Sequence, residues 1–382
     1  MEVKKLKECC TIIAGQSPES KYYNSNGDGL PFFQGKADFG ELYPSIRVYC
    51  SQPTKIAEKD DILLSVRAPV GPTNLAPCKV CIGRGLTAIR PSEVLLTRYV
   101  LLFFRYFEAQ LASKGTGTTF KAITQDVVKN LEIPIPPLPE QERIVARIEE
   151  LFSQLDAGVE TLKKTKAQLS VYRQAVLKEA FSCCAEKKSI WEMSSIVTSG
   201  SRGWAKYYCD NGAKFIRIGN LTRNKIYIDL DDIQHVQLPN KAEGTRTKLA
   251  PNDVLVSITA DLGNIGLVPN DIGEAYVNQH IAMIRFNNQM QGEFYAWYLR
   301  SEYGQQDLLR NKRGGGKLGL GLDDIRDSRV PVVSNETAES ILSIIECRLS
   351  VCDSIEHTVD LALQQAEAMR QSILKDAFEG RL

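Results

Sequence analysis

The 382 residues exceed what one small hydrophobic core organises, and a composition of 43% hydrophobic and 24% charged residues is that of a globular chain with two or more domains. No apolar run reaches the ~18 residues of a membrane-spanning helix. The lysines of the first seven residues lead into no apolar stretch, so a secretory leader is not expected and the cytoplasm is the expected compartment. A net charge of +1 excludes a strongly basic nucleic-acid coat, and only its distribution informs.

The first segment, 1–137, holds 17 basic and 13 acidic residues and reads as a globular block of short strands and a helix. Asp60-Asp61 predicts a turn into a buried strand, Ile62-Leu63-Leu64-Ser65-Val66. Val100, Phe103, Phe104 and Phe107 share one face of a helix running from Tyr99 to Ala112. Lys114-Gly115-Thr116-Gly117-Thr118-Thr119-Phe120-Lys121 follows as a Gly/Thr loop with basic ends. Glycines let backbone approach phosphates and the flanking side chains supply donors, so Lys114, Thr116, Thr118, Thr119 and Lys121 are candidate DNA contacts. Gln34, Lys36, Arg67 and Arg84 lie beside expected strand ends and join them, because Arg and Gln are common bidentate readers of base edges.

The next segment, 138–183, is charge-balanced and predicts one long helix over 139–182. Pro134, Pro136 and Pro137 forbid helix before it, and Pro139 suits a first turn. Leu155, Leu162, Leu169 and Val176 recur every seven residues as a coiled-coil seam, with Leu151, Val159 and Tyr172 near the same stripe. A helix this long spans roughly 66 Å.

The third segment, 184–332, holds 19 basic and 17 acidic residues and reads, like the first, as an α/β or α+β block with several short strands. Its helix is expected over Phe294 to Leu309, and a loop from Arg310 to Lys317 contributes Lys312, Arg313 and Lys317 as candidate phosphate contacts. Arg217, Asn220, Arg223, Thr259, Asn264, Gln279 and His280 stand beside expected strand ends as candidate base readers. The last segment, 333–382, holds 4 basic and 9 acidic residues and predicts a second long helix from Glu336 to Glu379, ended by Gly380. Its seam is Cys352, Val359, Ala366 and Ile373.

The chain repeats itself. Arg173-Gln174-Ala175-Val176-Leu177-Lys178-Glu179-Ala180-Phe181 recurs 197 residues later as Arg370-Gln371-Ser372-Ile373-Leu374-Lys375-Asp376-Ala377-Phe378. Asp61 to Val66 parallels Asp253 to Ile258, and Leu86 to Arg90 parallels Ile281 to Arg285. The order is block, helix, block, helix. Catalytic signals are missing. His235, His280 and His357 fit no metal spacing, Gly314, Gly316 and Gly319 follow no strand, and Cys78-x-x-Cys81 lacks a second half. The ten cysteines are expected to be reduced.

Ile133-Pro134-Ile135-Pro136-Pro137-Leu138-Pro139-Glu140-Gln141-Glu142-Arg143-Ile144-Val145, followed by the Arg173 to Phe181 run, resembles the central region of type I restriction–modification specificity subunits. The resemblance covers the whole plan, with Asn335-Glu336-Thr337-Ala338-Glu339 departing from the motif at the second helix. It implies target-recognition domains at 1–137 and 184–332, each with a mixed sheet. It also implies conserved helices at 138–183 and 333–382 that pack as an antiparallel coiled coil with pseudo-twofold symmetry. Such a subunit reads double-stranded DNA in two half-sites. It carries no catalysis and no cofactor itself, and it scaffolds two methylation subunits and the restriction (motor–nuclease) subunits. Adenosylmethionine, ATP and Mg are then expected on those partners. The specificity portion of a fused restriction–methylation enzyme, and a solitary specificity subunit, remain open alternatives.

Overall fold

A computed structural model describes residues 2–115, 122–223, 225–238, 246–310 and 319–382. Two compact units form, Met1–Lys163 with Asp360–Leu382, and Lys164–Val359. In the first unit the elements run β1 (Glu2–Lys5), α1 (Leu6–Cys9), β2 (Cys10–Ala14), β3 (Tyr23–Asn24), β4 (Leu30–Phe33), β5 (Tyr49–Cys50), β6 (Ile56–Ala57) and β7 (Ile62–Ser65). They continue with β8 (Thr73–Leu75), β9 (Val80–Ile82), β10 (Leu86–Pro91), α2 (Thr97–Ser113), α3 (Gln125–Lys129), β11 (Glu132–Ile135) and the start of α4 (Leu138–Ala180). An antiparallel sheet orders β2-β10-β7-β8, and a mixed sheet orders β3-β5-β4-β9-β6, with β4 and β9 parallel. Strand β1 pairs with β11, so the chain returns to its beginning just before α4.

The second unit repeats this plan with β12 (Lys187–Ser189), α5 (Ile190–Met193), β13 (Ser194–Ser199), β14 (Tyr208–Cys209), β15 (Ala213–Ile216), β16 (Gln234–Val236), β17 (Val254–Ser257) and β18 (Ile265–Leu267). Then come β19 (Ala275–Val277), β20 (Ile281–Phe286), α6 (Gly292–Arg300), α7 (Glu302–Leu309), α8 (Leu322–Asp327), β21 (Arg329–Pro331) and the start of α9 (Asn335–Phe378). Here β13-β20-β17-β18 is the antiparallel sheet, β14-β16-β15-β19 the mixed one, and β12 pairs with β21.

The expected turn before β7 is present, with Asp60 at φ 66°, and an equivalent turn stands before β17, with Asn252 at φ 63°. Each of the following strands opens on a buried aspartate clamped by an arginine of its neighbour. Asp61 accepts Nε and Nη2 of Arg90 at 2.8 and 2.7 Å, and Asp253 accepts those of Arg285 at 2.8 and 2.6 Å. The expected helix from Phe294 to Leu309 is a correction, because it breaks at Ser301, whose ψ is 164°. The buried Ser301 hydroxyl donates to Tyr298 O at 2.6 Å and accepts from Gly304 N, capping a new helix instead of continuing the old one.

Both long helices form as the heptads predict, and Gly380, at φ 75°, follows α9. In the first unit the end of α9 lies antiparallel on the start of α4. Arg370 pairs with Asp156, and Arg143 donates to Leu382 O at 3.0 Å. In the second unit the end of α4 lies antiparallel on the start of α9, with Arg173 on Asp353 at 2.7 Å and Glu179 on Arg348. Leu169, Val176, Cys352, Val359 and Ala366 are buried, and Leu155, Leu162 and Ile373 are half-buried. Tyr172 is exposed, against its expected place near the stripe. A 3.6-residue helix drifts about 20° per heptad, which turns the buried face toward Leu177 and away from Tyr172. All ten cysteines are free thiols.

Candidate nucleic-acid interface

The two sheets of the first unit bring several strand ends together. Strand β4 exits into Gln34-Gly35-Lys36, β9 turns into β10 through Gly83-Arg84-Gly85, and β7 exits through Val66 into Arg67. Backbone bonds lock these ends to each other. Gly83 N–H donates to Phe33 O at 2.8 Å, Val66 N–H to Gly85 O at 3.0 Å, and Ile123 N–H to Val66 O at 3.0 Å. The Arg84 N–H donates to Ser17 Oγ at 3.2 Å, and Arg67 bridges to Ala122. A Cβ at residue 85 would fall 2.3 Å from Gln34 O, so the close approach requires Gly85. Gln34, Arg67 and Arg84 thus stand exposed on one end of the unit, beside the point where the chain re-enters after residue 121. Lys36 is exposed at the start of a short 3-10 turn. Lys114 sits apart at the end of α2 with its Nζ 5.8 Å from the centre of the Phe107 ring.

The second unit builds the same frame with other side chains. Asn278 N–H donates to Ile216 O at 3.1 Å, Ile258 N–H to His280 O at 3.0 Å, and Leu320 N–H to Ile258 O at 3.0 Å. Thr259 bridges to Gly319, as Arg67 does to Ala122. Arg217 therefore stands where Gln34 does, Thr259 where Arg67 does, and Gln279 where Arg84 does. His280 is hydrogen-bonded through both ring nitrogens, to Thr259 Oγ1 at 2.7 Å and to Gln279 Nε2 at 2.9 Å. It lies between two open clefts. One, of about 690 Å³, includes Arg202, Arg246, Thr259 and Gln279. The other, of about 560 Å³, includes Arg217 and the carboxylates Asp229, Asp231 and Asp232, with Arg217 3.6 Å from Asp232.

Other expected readers are committed to the fold. Asn220 is buried, accepts from Arg217 N–H at 2.8 Å and donates to Asp229 O at 2.8 Å and Asp232 O at 3.1 Å, which ties its loop. Asn264 is buried and donates to Asp261 at 2.7 Å, and Arg223 pairs with the same carboxylate at 2.6 Å, which Arg223 and Asn264 together hold below the usual range. Thr116, Thr118, Thr119, Lys121, Lys312, Arg313 and Lys317 lie outside the described residues. Sequence reading missed Ser17, Arg202 and Arg246. The first two follow Gly15 and Gly200, where a Cβ would meet the facing strand's backbone within 2.2 Å, and that paired glycine was the available signal. What the arrangement offers is a rim of Arg, Gln, Thr and His donors and acceptors, the set that reads base edges and phosphates. Among the described residues no group of three His, Cys, Asp or Glu is placed to hold a metal, and no helix is long and apolar enough to cross a membrane.

The family model for the type I restriction modification DNA specificity domain matches twice, over residues 1–170 and 186–365. The chain belongs to this DNA specificity family. Each match covers one block and the larger part of the helix that follows it. Among relatives of this specificity-family chain, the MjaX type I restriction enzyme specificity subunit of Methanocaldococcus jannaschii is 40% identical over 167 residues, 44% of this chain and 38% of that protein. The EcoBI specificity subunit of Escherichia coli is 25% identical over 325 residues, 76% of this chain and 67% of that protein. Among solved structures, the HsdS subunit of Thermoanaerobacter tengcongensis is 49% identical over 41% of this chain and 38% of that one, with a TM-score of 0.38. The S subunit of M. genitalium is 17% identical over 99% of this chain and 96% of that one, also at 0.38.

Proposed function

We propose that this chain is the specificity subunit of a type I restriction–modification complex, reading an asymmetric DNA site in two halves, one per unit. The observation that carries the reading is the repeated strand-end frame. The same backbone bonds recur in both units, while the side chains mounted on them differ: Gln34, Arg67 and Arg84 against Arg217, Thr259 and Gln279. A duplicated scaffold with unlike readers suits two unlike half-sites.

The long helices supply the rest of the reading. The ion pair between Asp156 and Arg370 recurs as the pair between Arg173 and Asp353, with the roles of the two helices exchanged. On this reading the helices set the gap between half-sites and scaffold two methylation subunits together with the restriction subunits. The partners hold adenosylmethionine, ATP and Mg, and this chain selects the place in the cytoplasm where they act. The methylation subunit then works on an adenine taken out of the stack.

Selection from a pool of random duplexes by the full chain, alone and with its methylation subunit, tests this. Two short motifs at a fixed spacing are expected, and exchange of residues 1–137 for the corresponding block of a relative is expected to change one motif. A single continuous motif, or a change in both halves, contradicts the reading.

A further inference from the structure

Two arginines related by the internal repeat occupy the same setting in their own units. Arg105 on α2 and Arg300 at the end of α6 stand 195 residues apart, at matching positions. Each is half-buried and donates to one backbone carbonyl, Arg105 Nη2 to Glu41 O at 2.8 Å and Arg300 Nη1 to Lys225 O at 2.6 Å. Among the described residues neither guanidinium has a carboxylate within 4.0 Å. The cations around them are all paired. Arg98 has Glu149 and Arg370 has Asp156 in the first unit, and Arg173 has Asp353 and Glu356 and Arg223 has Asp261 in the second.

A desolvated charge without a counter-charge is costly, and the cost is removed when a carboxylate arrives. Burial pushes both guanidinium groups below the usual arginine value, Arg300 to about 10, and neighbouring arginines push the same way. Those neighbours are Arg98 and Arg370 at Arg105, where Glu41 and Glu108 act in opposition, and Arg173 and Arg223 at Arg300. Each arginine lines an open cleft between its own block and the adjoining long helix, of about 280 Å³ at Arg105 and about 680 Å³ at Arg300. The apolar lining also repeats, with Leu102 and Phe152 in one cleft and Trp297 and Leu349 at matching positions in the other.

We propose that these are two equivalent docking clefts, each taking an acidic side chain carried on an apolar protein segment, so that one chain offers the same seat to two copies of one partner. A protein segment fits better than a DNA backbone. Each lining mixes apolar and charged groups, Leu102 and Phe152 beside Glu149 and Asp156 in one cleft and Trp297 and Leu349 beside Glu302 and Glu356 in the other, which leaves room for one anionic group on an apolar stretch and disfavours a run of phosphates. One carboxylate on an apolar stretch matches one unpaired guanidinium fork. The inference rests on the reading of the chain as a scaffold, which names the methylation subunit as the partner for the test.

Sedimentation of the full chain with the methylation subunit of its own system measures how many copies bind and how tightly. Arg105→Gln and Arg300→Gln are each expected to weaken one of two binding events by about tenfold or more, and the double variant both. Arg105→Lys and Arg300→Lys are expected to recover part of the loss. Two copies bound to the double variant at wild-type affinity would overturn the clefts while leaving the specificity reading intact. No methylation subunit bound to the wild-type chain overturns the scaffold reading and the clefts with it. Photo-crosslinking from benzoylphenylalanine placed at Leu102 or Trp297 needs no loss of arginine. Crosslinks to an Asp- or Glu-bearing partner segment support the proposal, and crosslinks to duplex alone, or none, refute it.

Discussion

Arg84 and Gln279 sit on the same turn of the same backbone frame, yet one carries a forked cation and the other an amide. Arginine pairs bidentately with guanine, and glutamine with adenine, each worth about 1–3 kcal/mol of discrimination. Arg84→Gln is therefore expected to lower guanine preference at one position of one half-site, roughly 5- to 150-fold. Gln279→Arg is expected to raise it in the other half only, and site selection with each variant checks this. A shift in both halves, or in neither, removes these residues from base reading. Strand-end polarity made the place of both residues at the ends of strands legible in the sequence. The same signal misplaced Asn220 and Asn264, because their burial is set by Asp229, Asp232 and Asp261 through loop folding that no local pattern encodes.

The strands behind these rim residues depend on the buried aspartate–arginine clamps. Asp253 is fully buried, and its carboxylate takes two bonds from Arg285 and one from Ala250 N–H at 2.8 Å. Removing the arginine leaves a buried acceptor without its charge partner, which typically costs about 3–5 kcal/mol. Arg285→Met is expected to lose that much in urea unfolding, whereas the double variant Arg285→Met with Asp253→Leu is expected to recover most of it. An unchanged midpoint in the single variant contradicts the clamp. The heptads announced both long helices, because burial along them follows a fixed period, and the repeat announced that β7 and β17 would match. The mixed sheets were expected only from family resemblance, since strands of two to four residues such as β3, β5 and β14 carry no readable period. The break at Ser301 escaped for a related reason, as the apolar face of α6 runs on unbroken and only a buried hydroxyl ends it.

On the scale of the molecule, each long helix begins in one unit and ends in the other, so its length is a variable that mutation can set. Removing 157–163 from α4 and 360–366 from α9 deletes one heptad from each and keeps the apolar seam in register. Seven residues of helix shorten the span by about 10 Å and rotate it by only about 20°. At 3.4 Å per base pair along a strand, 10 Å is about three base pairs. The preferred gap between half-sites is therefore expected to shrink by about three base pairs. Three base pairs also turn the duplex by roughly 100°, given 10 to 10.5 base pairs per turn. On the proposed two-half reading the shortened protein meets its second half-site out of phase, so its affinity for the new optimum is expected to fall below that of the parent for its own site. Deleting the heptad from one helix alone mismatches the seam instead, and is expected to lower stability without defining a new gap. Binding to duplexes with graded spacers separates these outcomes. An unchanged preferred gap in the doubly shortened protein would mean that the spacing is fixed by something other than the helices.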